Sequence, residues 1–240
     1  MDTELSIVCP YRDRADLLSD FVAHITSKYP AAEVIVMEQG DSRRFLRGQL
    51  LNLGFQHSTG KLVLFTDIDL RFTKIVDFSD VMNKFQRPYY PYTKIEHCLF
   101  SGRNAYTPIV GSRPWINSPG GMYVYSRDQF LAVNGHSNLF LGHSYEDTDL
   151  RERANPVRFE NTILHLKHKP VSVKTDINRN ATVYSLRSKR DPALDGVRQT
   201  IATVAAETGL GNNARKITAT NIGVCADFAY KKLLADTING

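Results

Sequence analysis

The chain has few cysteines and no long apolar run. Its 240 residues include three cysteines, Cys9, Cys98 and Cys225, which are odd in number and far apart. This spacing excludes a disulfide framework and the paired cysteines of zinc sites. No apolar stretch approaches a membrane span, and the first residues carry acids instead of the basic start of a secretion signal. We therefore expect a soluble protein in a reducing cytoplasm, where the sequon at Asn180 goes unused.

Composition indicates a folded protein without naming its ligand. Hydrophobic residues make up 42% of the chain and charged residues 23%, enough for one large core or for a core with an extension. Internal repeats and low-complexity linkers are absent from the sequence. The formal net charge of +5 is mild. It is compatible with a phosphate-rich ligand, an acidic acceptor polymer or nucleic acid.

The first half of the chain alternates strand and helix patterns. Apolar runs predict strands at 5–9, 32–37 and 62–65, and helical periodicity appears at 16–26 and 45–56. This order predicts an α/β fold with a mostly parallel central sheet and helices on both faces. Later segments predict an irregular insertion with one or two strands at 78–118, a helix capped by Ser126 at 126–133, and helices at 197–207 and 226–235. We thus expect a core at 1–170 and a helical extension at 171–240 that packs on it as a lid.

Charged side chains follow the first and third predicted strands. Ligands of parallel sheets bind beyond the carboxyl ends of the strands, where Arg12, Arg14, Asp67 and Asp69 all fall. Two carboxylates one residue apart after a buried strand are costly to leave uncompensated, so they favour a bound cation. Such an Asp-x-Asp turn also occurs in ordinary loops.

Two further groups of polar residues have a structural and a functional interpretation. Glu146 and Asp147 open a predicted helix, where acids complement the macrodipole. A carboxylate there could equally act as the general base that takes a proton from a sugar hydroxyl. His165 and His168 follow an apolar run and could be ordinary strand residues. Together with an Asp-x-Asp they favour a mixed oxygen and nitrogen site suited to manganese.

These motifs, in this order, resemble the β-1,4-galactosyltransferase family. The resemblance covers about residues 5–170 and consists of Pro10-Tyr11-Arg12-Asp13-Arg14, the run from Phe45 to Phe55, Asp67-Ile68-Asp69, Gly120-Gly121, the run from Gln129 to Gly135, and Glu146-Asp147. It implies a GT-A fold and an inverting transfer from a UDP-sugar that requires manganese, with magnesium as the alternative. Relatives without a Golgi anchor occur in bacteria and viruses, and this chain is more similar to those.

The resemblance also implies roles for individual residues. It assigns donor binding to Pro10, Arg12, Arg14, Phe45, Arg47, Asp67, Gly120 and Gly121. It assigns metal binding to Asp69, His165 and His168. Asp147 would be the base that deprotonates the acceptor hydroxyl, and Glu146 beside it would bind the acceptor or the donor sugar.

The sequence departs from the family in the loop before the acidic pair. Well-known members have Gly-Trp-Gly-Gly there, whereas this chain has Gly142-His143-Ser144-Tyr145 and no tryptophan. Three functions therefore stay open. The first hypothesis is a glycosyltransferase whose acceptor is a saccharide or glycoconjugate. The second is a glycosyltransferase whose acceptor is a modified base in DNA, which the basic residues between 174 and 190 would favour. The third hypothesis is a non-catalytic binding protein, against which Asp69, Asp147 and His168 argue together.

Overall fold

The computed structural model describes residues 4–102, 105–142, 144–168, 174–190 and 195–222. The strands are β1 Leu5–Tyr11, β2 Glu33–Gln39, β3 Leu62–Thr66, β4 Leu70–Phe72, β5 Tyr89–Tyr90, β6 Lys94–Gly102, β7 Ala105–Pro108, β8 Trp115–Ile116, β9 Met122–Ser126, β10 Val157–Arg158, β11 Thr162–Leu166, β12 Thr203–Gly211 and β13 Ala214–Thr220. The helices are α1 Ala15–Lys28, α2 Arg47–His57, α3 Phe78–Phe85, α4 Arg127–Ala132, α5 Glu146–Ala154 and α6 Lys174–Ser185. Single 3-10 turns occur at Arg187–Lys189 and Val197–Gln199.

The central sheet has eight strands in the order β10-β5-β9-β3-β1-β2-β13-β12. Strands β3, β1, β2 and β13 run parallel, and β9 runs antiparallel to β3. Almost every residue of β1, β2 and β3 is buried, as expected of strands that are covered on both faces. The predicted α/β class and the first five predicted elements are confirmed.

Helix α2 packs directly on the middle of this sheet. Its contact depends on Gly54, where an added Cβ would lie 2.2 Å from Cγ1 of Val8. A glycine lets the two backbones approach closely, although it costs helix stability. The packing fixes the start of α2, and with it Arg47, near the carboxyl ends of β1 and β3.

The segment predicted to be an irregular insertion is more regular than expected. It contains α3 and four strands, β5 to β8. Strands β6, β7 and β8 belong to a smaller sheet with the order β4-β11-β6-β7, and β8 pairs with β6. Strands β7 and β8 are largely exposed, so their sequences lack the apolar pattern by which buried strands are recognised.

The prediction of a helix at 197–207 is wrong. A 3-10 turn at Val197–Gln199 is followed by the hairpin of β12 and β13, and β13 extends the central sheet beside β2. The hairpin turn uses Asn212 and Asn213, both at positive φ, a signal for a tight turn that outweighs the helical pattern. The helix predicted at 226–235 lies outside the described residues, as does Cys225. The division of the chain near residue 170 stays a prediction.

In the part of the chain that the structure describes, helices of the length and apolarity needed to cross a membrane are absent.

Candidate active site

The polar residues that follow the strands meet at one edge of the central sheet. Asp67 and Asp69 lie in the turn between β3 and β4. The N–H of Asp67 donates to the carbonyl of Gly121 (3.0 Å), and the carbonyl of Asp69 accepts from the N–H of Leu166 (2.8 Å). These backbone bonds connect the turn to the strands that carry the other site residues.

Arg47 joins three carboxyl groups that are far apart in sequence. Its Nε lies 2.7 Å from Oδ1 of Asp67, and its Nη1 lies 2.6 Å from Oδ1 of Asp147. The Oε1 of Glu146 is 3.7 Å from the same Nη1. The arginine side chain is 9% exposed, so these pairs are weakly screened by water. The guanidinium thus holds the start of α5 against the turn after β3.

The carboxyl groups outnumber the cation that holds them. Burial raises the pKa of Asp67 to about 6; Arg47 opposes this shift and the charge of Asp69 adds to it. Burial, followed by the charge of Asp147, raises the pKa of Glu146 to about 7. Both shifts come first from burial, and repulsion from a neighbouring carboxylate adds to each. A bound cation would relieve that repulsion.

Asp69, His165 and His168 form a cluster suited to a metal. One ligand atom from each lies within 4.8 Å of the other two. Oδ2 of Asp69 is 2.9 Å from Nε2 of His168 and 3.8 Å from Nε2 of His165. Burial alone would raise the pKa of Asp69, but the His168 hydrogen bond and the two imidazoles hold it below its ordinary value. Burial lowers the pKa of His165. An ionised carboxylate beside a neutral imidazole is the form that binds divalent cations.

The arginines that follow β1 lie at the same edge. Nη2 of Arg14 is 2.9 Å from Nδ1 of His168. The guanidinium of Arg12 lies over the ring of Phe45, 5.3 Å from its centroid, and donates to the carbonyl of Arg43. Pro10 is buried within β1, in register with Met37. The structure therefore brings Arg12, Phe45 and Arg14 to one rim and places Pro10 in the sheet below them.

Gly120 is required by the position of Asp147. A Cβ at Gly120 would lie 1.9 Å from Oδ2 and 2.6 Å from Cγ of Asp147, closer than any real contact. Gly121 follows with φ of 98°, a backbone conformation that favours glycine. The two glycines thus leave room for a carboxylate and turn the chain into β9.

We expect Gly120→Ala to displace the Asp147 carboxylate and to lower the rate of any reaction that uses this carboxylate by about 100-fold, because an ångström of misplacement costs that much. Gly209→Ala is the matched control, since a Cβ there meets nothing within 4 Å. Steady-state rates and melting temperatures of both variants check the prediction. Equal reaction rates in the two variants would show that the close approach of Gly120 is unimportant.

Two residues that the sequence analysis missed lie behind Asp147. The hydroxyl of Tyr123 is 3.3 Å from Oδ1 of Asp147 and 2.5 Å from Nε2 of His136. His136 is fully buried, and burial lowers its pKa well below the ordinary value, with Arg47 and Arg153 adding to the shift. A neutral histidine therefore supports the tyrosine. No local motif signals this pair, because its members come together only in the folded chain.

The loop before the acidic pair has a strained backbone. Ser144 and Tyr145 both have positive φ, 97° and 71°, which is unfavourable for non-glycine residues. The side chain of Asn180, in α6, donates to the carbonyls of Leu141 (2.9 Å) and Ser144 (3.0 Å). His143, part of the motif discussed above, lies outside the described residues. Helix α6 therefore holds this loop, and Asn180 is fully buried in doing so.

The arginines of the 174–190 segment bond within the molecule. Arg179 donates to the carbonyl of Leu139 (2.6 Å), and Arg187 pairs with Glu152 (3.0 Å). Arg190 is 10% exposed and pairs with the fully buried Asp149 (2.8 Å). These contacts attach the segment to α5 and to the residues before it. These three arginines therefore make contacts within the protein, and the Arg187 side chain stays 42% exposed.

The raised pKa of Glu146 has a consequence for stability. The folded state holds this proton up to about pH 7, whereas an ordinary glutamate loses it near 4.5. Between these values the native state binds more protons than the unfolded state, so the free energy of unfolding falls as pH rises. We expect Glu146→Gln to lose less stability than wild type between pH 4.5 and 7.5. Urea unfolding at both pH values measures the difference, and identical losses would contradict the assigned shift.

The sequence is similar to known galactosyltransferases. The family described as the N-terminal domain of galactosyltransferase matches residues 110–175, which include the acidic pair and both histidines. β-1,4-Galactosyltransferase 7 of Drosophila melanogaster is 26% identical over 188 residues, 73% of this chain and 50% of the relative. β-1,4-Galactosyltransferase 4 of Homo sapiens is 29% identical over 165 residues, 65% of this chain and 44% of the relative. The matched part of the chain thus spans half or less of these relatives' length.

Two solved structures of similar shape belong to one of these relatives. The catalytic domain of Drosophila β-1,4-galactosyltransferase 7 in complex with xylobiose has a TM-score of 0.65 at 20% identity, covering 90% of this chain and 93% of that one. A mutant of the same enzyme with manganese, UDP-Gal and xylobiose has a TM-score of 0.63 at 18% identity and the same coverage. The chain has the GT-A fold and resembles the β-1,4-galactosyltransferases in sequence.

Proposed function

We propose that this protein is a metal-dependent glycosyltransferase that moves a sugar from a UDP-sugar to a hydroxyl of a saccharide or glycoconjugate, with inversion at the anomeric carbon. The observation that carries the proposal is the meeting of two groups at one edge of the sheet. Asp69, His165 and His168 form the metal cluster. Arg47 holds Asp67 and Asp147 beside it.

Asp147 is the proposed general base. The acceptor oxygen attacks the anomeric carbon while the bond from that carbon to the diphosphate oxygen breaks. The hydroxyl proton passes to a carboxylate oxygen of Asp147, and the bonding electrons leave with UDP. Nη1 of Arg47 lies 2.6 Å from Oδ1 of Asp147 and so fixes the orientation of the carboxylate that would accept the proton. Oδ2 faces Gly120, where the absence of a side chain leaves space for it.

The donor lies, in this proposal, between the metal cluster and the arginines that follow β1. Asp69, His165 and His168 would hold manganese, or magnesium as the alternative. The bound ion would supply positive charge that stabilises the departing UDP. Arg12 and Arg14 would contact the diphosphate and ribose. The ring of Phe45, over which the Arg12 guanidinium lies, would contact the uracil.

Saccharides are the acceptors best supported by the relatives. Xylobiose is bound in the similar structures of Drosophila β-1,4-galactosyltransferase 7. The modified base in DNA has less support, because Arg179, Arg187 and Arg190 bond within the protein instead of forming a stripe for phosphates. We therefore propose a saccharide acceptor.

Acceptor-stimulated release of UDP tests the proposal. The protein is incubated with UDP-Gal, UDP-GlcNAc, UDP-GalNAc or UDP-Glc, each with xylobiose, N-acetylglucosamine or hydroxymethylated DNA, and with manganese or a chelator. We expect one donor to give release that needs both manganese and a saccharide. Release stimulated by hydroxymethylated DNA but by neither saccharide would overturn the acceptor assignment. Release that is equal in chelator would overturn the role of the metal.

A further inference from the structure

A third histidine lies beside the metal cluster. Strands β6 and β11 are parallel and pair in a register that sets His97 opposite His165. Directly paired residues of neighbouring strands project to the same side of a sheet. The two Nδ1 atoms lie 3.2 Å apart, and the rings are nearly perpendicular, at 89°. The backbone register, and not a flexible loop, therefore brings the two imidazoles together.

The orientation of His165 assigns a task to each of its nitrogens. Its Nε2 faces Oδ2 of Asp69, and its Nδ1 faces His97. A neutral imidazole that offers Nε2 to a metal carries its hydrogen on Nδ1. That hydrogen needs an acceptor, because a buried donor without a partner is costly. Nδ1 of His97 is at the right distance to accept it.

We propose that His97 is a positioning residue for the metal site: it accepts the Nδ1 hydrogen of His165 and so fixes the tautomer and the ring orientation in which His165 binds a divalent cation. The inference rests on the proposed function, since it concerns the same cation. Metal-binding histidines generally donate their second nitrogen to such a partner.

Trp115 completes the support by packing on both rings. Its ring centroid is 4.5 Å from that of His97 and 5.1 Å from that of His165. The tryptophan restrains the two imidazoles by contact, while the hydrogen bond selects the tautomer. These two effects can be separated, because a phenylalanine at position 97 keeps a ring against Trp115 but offers no acceptor.

Direct measurement of manganese binding tests the inference. Free Mn²⁺ is measured by electron paramagnetic resonance while the metal is titrated into wild type, His97→Phe, His97→Leu and His97→Asn. We expect His97→Phe and His97→Leu to raise the dissociation constant for Mn²⁺ by about 10- to 100-fold, as loss of such partners typically does. His97→Asn should stay close to wild type, because its amide oxygen accepts a hydrogen bond near the place of Nδ1.

Two further variants separate the possible failures. Asp69→Ala removes a proposed ligand, and Glu96→Gln changes a partly exposed side chain next to His97 on the same strand. Absence of manganese binding in wild type, or unchanged binding in Asp69→Ala, would overturn the proposed metal site itself. If Asp69→Ala loses binding while His97→Phe or His97→Leu binds as wild type does, the role of His97 alone is overturned. An equal loss of manganese affinity in His97→Asn and His97→Phe would also overturn the role of His97. Melting temperatures without metal identify which variants fold. The comparison of His97→Asn with either His97→Phe or His97→Leu is enough to decide the role of His97.

Discussion

Replacing Asp147 with asparagine is expected to lower the turnover of sugar transfer by about 100- to 10,000-fold, the usual contribution of a general base. Asparagine has nearly the same shape, and its Oδ1 can still accept from Arg47, so the start of α5 should keep its position. It cannot take the proton of the acceptor hydroxyl. The dissociation constant for UDP in manganese should therefore change little. Single-turnover rates and calorimetric UDP binding measure the two quantities.

The control for this variant is a second acid at the start of a helix. Asp128 is exposed in the first turn of α4, where it interacts with the helix dipole. Helix α4 follows Ser126, which pairs with Leu62 at the start of β3, whereas Asp67, the partner of Arg47, follows the other end of β3. If acids at helix starts matter here only for the macrodipole, Asp128→Asn and Asp147→Asn should have similar small effects. Full activity in Asp147→Asn would remove that residue from the role of base.

Replacing Asp69 with alanine is expected to abolish the dependence of UDP binding on manganese. In the proposed function the ion and UDP share one site, and couplings between two ligands are typically about 5- to 150-fold. Without the carboxylate, two imidazoles remain and the ratio of UDP dissociation constants with and without manganese should fall to about one. Calorimetric titration of UDP in manganese and in chelator gives the ratio for each protein.

Asp16→Ala is the matched control for Asp69→Ala. Asp16 is an exposed carboxylate in the first turn of α1, a helix that tolerates alanine well. It should keep the wild-type ratio. A wild-type ratio in Asp69→Ala would exclude this residue as a ligand of the metal that assists UDP.

Local sequence signals were sufficient for the first three strands, for α1 and α2, and for α4. Buried strands such as β1 and β3 are continuous apolar runs, and the capping box of Ser126 and Gln129 starts α4 as expected. Local sequence signals failed for residues 197–207, where a short apolar pattern fits both helix and strand. Pairing of β13 with β2, which is far away in sequence, decided the outcome there.

The candidate site was predicted where its residues lie in motifs and missed where they do not. Asp69, His165 and His168 were named from the sequence, and the structure gathers them. His97 and Tyr123 carry no motif, because each acquires its place from strand pairing. The central position of Arg47 among three carboxyl groups was likewise invisible, since its partners are 20 and about 100 residues away.

The most direct test of the central claim is a thermal-shift titration of the wild-type protein with UDP, with and without manganese. A ligand that binds only the folded state stabilises it by about 2.7 kcal/mol at 100 times its dissociation constant. We expect a clear rise in melting temperature with UDP and manganese together, and a much smaller rise with UDP in chelator. The same melting temperature with and without UDP in saturating manganese would contradict the proposed donor site.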